Sequence, residues 1–470
     1  MLFNTWTFLC FAVVVFTIYY QLKLRGQNRL LLVASYVFYG AWDYRFLSLI
    51  LLSTVVDYFV GARLHAATEV RIRKRLLLVS CAANLGILGI FKYAGFFADG
   101  LQSLFAVFGV EATPFTLEIV LPVGISFYTF QTMSYTIDIY RRKLEPVPGF
   151  LDFALFVSYF PQLVAGPIER ARHLLPQLTQ ARTISRTQIT EGLWLIGWGL
   201  FKKAIIADNI AARVDEVFRV GNDFSSGSAC LFAIYGFSIQ IYCDFSGYSD
   251  IARGLGKLMG IELMRNFQLP YVATNPQEFW RRWHISLSTW LRDYLYVPLG
   301  GSRGSRFMTY RNLMLTMILG GLWHGAAWTY VLWGFYQGLL LITHRWVVVD
   351  HDWLRLPGRI GQAISWFCMF HLTCLGWLIF RSKSMDQIWN FLRRIGTDLT
   401  IDLHEVHIIY PVLVFGGILV VVDAWIRNAD DPRTRPGWNQ GLGPAVAAGL
   451  ALLALIFWPI QVKQFIYFQF

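Results

Sequence analysis

The chain has 470 residues, of which 56% are hydrophobic, 17% aromatic and only 15% charged, with a mean hydropathy of +0.46. Soluble domains carry charge at about a quarter of their positions, so this composition excludes a soluble protein and reads as one integral membrane domain. The net charge of +12 does not point to nucleic acid, because the basic residues sit in short loops between apolar runs, as the positive-inside rule requires; anionic lipids or an anionic soluble ligand give that excess a second use.

The N-terminal run MLFNTWTFLCFAVVVFTIYYQLKLR has no basic region before its apolar core. It reads as a retained first transmembrane helix rather than a cleaved signal peptide. Lys23, Arg25 and Arg29 form a first basic loop, and residues 63–75 a stronger one. Between them, 30–61 is broken at Trp42, Asp43, Tyr44 and Arg45, which reads as an outer turn with both basic loops in the cytoplasm. Residues 76–97 form another span, interrupted by Lys92. After a polar stretch with Pro114 comes 117–139, with Pro122 and Gly124 near its start and Arg141, Arg142 and Lys143 at its end.

Residues 153–168, FALFVSYFPQLVAGPI, are too few and too broken by Pro161, Gly166 and Pro167 for a full span. Irregular backbone at membrane depth survives only where protein or a wet cavity satisfies it. The segment therefore reads as re-entrant, with Glu169, Arg170 and Arg172 at a cytoplasmic mouth, against the alternative of a loop beside a short interfacial helix. Residues 189–212 and 227–245 are further spans. In the following polar knot, Asp244 and Asp250 either cap backbone groups or bring a carboxylate near a catalytic histidine. Spans at 364–380, 408–426 and 445–460 bring the expectation to about eleven membrane helices. The six cysteines (10, 81, 230, 243, 368 and 374) have no metal-type spacing and read as small core residues.

The stretch 278–343 carries the chemistry. Its second half, 313–343, is almost uncharged, and apart from tyrosines its one ionisable side chain is His324. A histidine alone in a membrane-length apolar run is functional by default, although such a residue also serves simply to tie two helices together. Gly320, Gly321 and Gly325 flank it and permit close approach, and Trp323 lies beside it. An apolar wall leaves a neutral imidazole available as a base for an alcohol attacking a thioester. In the first half, written as a helix, Trp280, Trp283, Leu287, Trp290 and Tyr294 make one apolar stripe. Arg281, His284, Ser288 and Arg292 share a neighbouring face that could meet one anionic ligand. The plainer alternative is a helix at the membrane surface with its tryptophans among headgroups. Arg281, Arg282, Arg292, Arg303, Arg306 and Arg311 supply charge for a mouth that accepts phosphates. Phosphate-loop, HExxH and cysteine-rich metal motifs are absent, which leaves the chemistry to histidine.

PQLVAGPIER at 161–170, DFSGYSDIARG at 244–254, FWRRWHISLSTWLRDYLYVPLGG at 279–301, GGLWHGAAW at 320–328 and FIYFQF at 465–470 together resemble the membrane-bound O-acyltransferase (MBOAT) family. The likeness is strongest to its bacterial branch of alginate, cellulose and peptidoglycan O-acetylation membrane subunits, with the teichoic-acid D-alanylation subunit more distant. The resemblance implies an all-α polytopic MBOAT fold over 1–470 with a signature region at about 122–345, its helices and re-entrant pieces arranged around a central tunnel. It implies His324 and His284 as catalytic residues, and on the reading of the residues above Arg281, Arg282, Ser288, Arg292 and Trp323 would bind the donor. It further implies acetyl-CoA as donor with no metal, and a multi-pass place in the bacterial inner membrane among lipids. Its partner would be a periplasmic SGNH-like acetyltransferase or acetyl-relay protein, for O-acetylation of an exopolysaccharide such as alginate or cellulose. The alternatives are a transporter of an acyl carrier or lipid-linked sugar with His324 as a proton site, which the lack of repeats disfavours, and a scaffold for a polysaccharide synthase.

Overall fold

A computed structural model describes residues 1–109, 120–219, 226–351, 358–401, 403–426, 443–458 and 465–466. Pro114, the ends of the expected 117–139 and 445–460 spans, and residues 467–470 of FIYFQF lie outside them. Among the described residues every regular element is helical. Five helical stretches are long and apolar enough to cross a membrane: Leu24–Ala66, Val70–Val107, Gly227–Leu258, Gly358–Arg381 and Val406–Trp425. Shorter apolar helices occupy Trp6–Tyr19 and Ala448–Phe457. The expected tally of about eleven membrane helices, which allows for short and re-entrant pieces, therefore includes helices beyond these that are short, charged or interrupted. The first long stretch breaks at Asp43, whose extended backbone starts a 3-10 turn and whose carboxylate accepts from the Arg45 amide. The second passes through a π segment, Gly89–Tyr93.

The largest departure concerns 313–343. It is two helices rather than one span: Arg306–His324 and Trp328–His344 run against each other and turn at Gly325, whose backbone is extended. Small residues at the crossing make this possible. A Cβ at Gly321 would strike the Tyr330 carbonyl, and one at Gly334 the Met317 carbonyl.

Gly227–Leu258 is the central helix, 32 residues and so about 48 Å long, buried along most of its length. Its glycines pair with those of the Arg186–Leu200 helix: Gly199 meets Gly247, and Gly192 meets Gly254, so backbone lies on backbone. A second π segment, Phe201–Ala207, then turns Lys202 and Lys203 inward. Lys202 lies 2.7 Å from Asp250, and Lys203 is 2.7 Å from Asp244 and 2.8 Å from Asp208. Neither Asp244 nor Asp250 caps a helix end, although Asp244 also accepts from the backbone amide of Ile466 at 2.7 Å. They sit mid-helix and cross-link two elements.

The broken segment at 153–168 is buried throughout, and its irregular backbone is satisfied by protein. The Phe160 amide donates to Ser35 Oγ (3.0 Å) and the Ile168 amide to Ser286 Oγ (2.9 Å). Glu169 and Arg170 do not stand at an open mouth. Both are buried, Glu169 against His173 (2.7 Å) and Arg170 over the Tyr294 ring, while Arg172 is exposed. Cys230, Cys243 and Cys374 are core residues as expected, whereas Cys10 and Cys368 are exposed.

Candidate active site

His324 is the last residue of its helix, and the hairpin turn presses its ring into an aromatic box. Ring centroids lie 5.0 Å away at Trp323, 5.2 Å at Trp333 and 5.4 Å at Phe380. The second imidazole, His284, stands 6.3 Å off. His284 is fully buried and also faces Phe245 at 4.7 Å, Trp323 at 5.9 Å and Phe127 at 6.4 Å.

His284 reaches this position because 278–296 is not one helix. Pro276–Arg282 ends, Trp283 is extended, and His284 adopts a left-handed backbone (φ 42°, ψ 54°) before Ile285–Leu291 resumes. Asn266 holds the break: its carbonyl accepts from the Ile285 amide at 2.9 Å, and its side-chain oxygen accepts from Ser286 Oγ at 2.7 Å. The shared face expected for Arg281, His284, Ser288 and Arg292 is therefore divided, with His284 turned into the core. The tryptophan stripe is likewise internal rather than among headgroups: Trp283 and Trp290 are buried, and Trp290 stacks on Phe130 at 3.8 Å.

Two cavities meet the hairpin. One, of about 470 Å³, is lined by Trp280, Arg281, Ser288, Arg292, Met317 and Arg345, with His344 beside them. That volume is typical of small-molecule sites, and its rim is basic. Arg292 pairs with Asp293 at 2.7 Å, whereas Arg281 makes no ion pair among the described residues. Arg282 is bonded to Glu278 at 2.9 Å and stands outside this cavity. Arg303, Arg306 and Arg311 do not line it either. The other cavity, of about 70 Å³, has His324, Trp323, Lys92, Ser126, Phe127 and Val164 in its wall and offers space for several water molecules.

Met317 in the first cavity and His324 in the second lie on one helix, about 10 Å apart by its rise. Between them Trp280 packs on Trp333 at 5.9 Å, and Trp333 packs on His324. The basic cavity lies toward the end where Arg141 donates to the Asp293 carbonyl (3.0 Å) and Tyr310 to Asp350 (2.7 Å). His324 stands at the opposite end of the hairpin. Among the described residues no group of His, Cys, Asp or Glu side chains is arranged to hold a metal ion.

Sequence reasoning missed three contributors. Arg345 and His344 return to the basic cavity only because Trp328–His344 folds back. Lys92 registered only as a flaw in an apolar run.

These features define an all-helical membrane protein with two buried imidazoles, one of which, His324, lines a small cavity on the hairpin that also borders a larger basic one. The chain belongs to the membrane-bound O-acyltransferase family, whose model matches residues 31–380, and it is an O-acyltransferase. It is 44% identical over 410 residues to the probable alginate O-acetylase AlgI of Pseudomonas aeruginosa, covering 87% of this chain and 77% of that protein. It is 46% identical over 374 residues to the protein of the same name from Azotobacter vinelandii, covering 79% and 73%. It is also 36% identical over 425 residues to the peptidoglycan O-acetyltransferase of Helicobacter pylori, covering 84% and 79%.

Proposed function

We propose that this protein takes acetyl from cytoplasmic acetyl-CoA and passes it across the bacterial inner membrane to an extracytoplasmic partner, for O-acetylation of an exopolysaccharide. Alginate is the polymer favoured by the names of the relatives, and cellulose is the second choice. The observation that carries the reading is the placing of one buried histidine at the far end of a hairpin whose near end borders a basic cavity. Arg281, Arg292 and Arg345 would meet the phosphates of the donor, Ser288 would hydrogen-bond it, and the pantetheine arm would run along Trp280 and Met317 toward Trp323. Arg282, held by Glu278, would serve only the approach.

His324 acts as general base: it takes the proton of the acceptor hydroxyl as that oxygen attacks the thioester carbonyl, the C–S bond breaks, and the CoA sulfur takes that proton back from the imidazolium and leaves as the thiol. His284, which is deeper in the box, orients the donor or relays the proton. Because the coenzyme's phosphates remain at the basic end, no step buries them in the membrane, which would be prohibitive. The partner is a periplasmic SGNH-like acetyltransferase or an acetyl-relay protein, and lipid surrounds the chain.

The test is thiol release from acetyl-CoA by purified protein, with each variant checked for folding. His324→Ala is expected to lose on the order of 100- to 10,000-fold in turnover while still binding donor, and His284→Ala to lose less. Normal turnover in His324→Ala would reject the mechanism. A silent wild type, even with its partner supplied, would favour a transporter with His324 as a proton site.

A further inference from the structure

We infer that Lys92 and Tyr93 are positioning residues for His324, acting as a clamp on the helix end that carries it. The inference rests on the acetyl-transfer reading of the same site. An α-helix leaves its last four carbonyls without partners inside the helix. The usual remedy is a left-handed residue just beyond the end. Gly325 is extended instead, at φ −163° and ψ 152°, so the Arg306–His324 helix must find its donors elsewhere.

They come from two consecutive residues of another element. Tyr93 Oη donates to the Leu322 carbonyl at 2.8 Å, and Lys92 Nζ donates to the carbonyls of Trp323 at 2.6 Å and His324 at 3.1 Å. Three successive carbonyls of the final turn are thereby held. Lys92 and Tyr93 close the π segment Gly89–Tyr93. With bonds from i to i+5, a π turn holds more residues than an α turn and rotates less per residue. Adjacent side chains can therefore reach the same helix end.

The ammonium suits the site in charge as well as geometry, because a cation at a helix C-terminus meets the negative end of the macrodipole. Among the described residues no carboxylate pairs with Lys92. Its other neighbours are Ser126 Oγ at 3.4 Å and the Trp323 ring, whose centroid is 5.8 Å away. Lys92 also forms part of the wall of the small cavity that His324 lines. The clamp fixes the height and rotation of the last turn, and with it the direction of the imidazole. Without it that turn frays, and His324 no longer meets the acceptor hydroxyl squarely.

The experiment uses full-length protein with Lys92→Met and Tyr93→Phe. It measures thiol release from acetyl-CoA and amide hydrogen exchange over residues 321–326. Lys92→Met is expected to lower kcat on the order of 100-fold, the scale of a small misplacement of a catalytic group, with donor KM unchanged because the donor's phosphates bind at the opposite end of the hairpin. Tyr93→Phe, which removes a single hydroxyl, is expected to lower kcat less. Exchange should rise in both at the end of the His324 helix and not along Trp328–His344. Wild-type kcat with unchanged exchange in both variants overturns the clamp, as does a rise in KM at constant kcat. If Lys92→Met does not fold, Tyr93→Phe decides. If the wild-type protein releases no thiol, the acetyl-transfer reading fails, and the exchange measurement still decides the clamp.

Discussion

His284 holds a backbone conformation that costs a residue with a Cβ about 1 to 2 kcal/mol, and the surrounding structure supports it through Asn266, 18 positions earlier. Helical periodicity could not reveal this break. Neither glycine nor proline marks Trp283–His284, and the hydrogen bonds that decide it come from a distant loop. That His284 belongs to a family motif was legible in the sequence; where its ring points was not. Glu169 offers a second lesson at this scale, because a carboxylate beside two arginines reads as a solvated mouth yet is fully buried. Its hydrogen bond to His173 raises that imidazole above its ordinary value, outweighing the opposing effect of partial burial. A raised folded-state value stabilises the protein below the unfolded value and fades as pH rises through the folded one. The stability difference between wild type and His173→Ala should therefore be largest below about pH 6.5 and shrink above it, as measured by thermal unfolding across pH. A difference that grows with pH would contradict the assignment.

Among the elements, the contact between Arg186–Leu200 and the central helix is set by glycine pairs seven residues apart on each strand of the crossing, 192 with 199 and 247 with 254. A Cβ built on Gly199 would come within 2.6 Å of the Gly247 carbonyl oxygen, and backbone cannot move aside as a side chain can. Gly199→Leu should destabilise the protein by about 3 kcal/mol in chemical denaturation. Gly197→Leu on the same helix, with nothing within 4 Å, should cost nothing. Equal effects from the two would remove the close-approach argument. The hairpin was harder to read. Its uncharged run has the length and composition of a single span, and the alanines and lone glycine at 325–327 are ordinary helix residues until Gly325 becomes extended. The fold-back surfaces in sequence only as Gly321 and Gly334, which no periodicity selects.

At the scale of the whole molecule, composition sufficed for a membrane protein, and the motifs sufficed for its family and, through it, for the all-helical fold. Long-range assembly, which joins Arg345 to Arg281 and Lys92 to His324, was not accessible from either. The basic cavity permits a direct check. Arg281→Gln should raise the donor KM about tenfold, since a hydrogen bond to a charged group contributes roughly 1.5–3 kcal/mol, while kcat stays level because ground-state and transition-state binding are lost together. Arg282→Gln, outside the cavity, should leave KM alone. If Arg282→Gln has the larger effect, the donor enters by another route.

The described part of the C-terminal segment carries a further consequence. The Ile466 amide donates to Asp244 at 2.7 Å, and Phe465 packs on Phe245, the ring that faces His284. The wall behind the second histidine is therefore closed by residues that leave the ribosome more than two hundred positions after the helix they complete. From the emergence of His324 until residues 465 and 466 follow it, the growing chain holds both histidines with that wall still open.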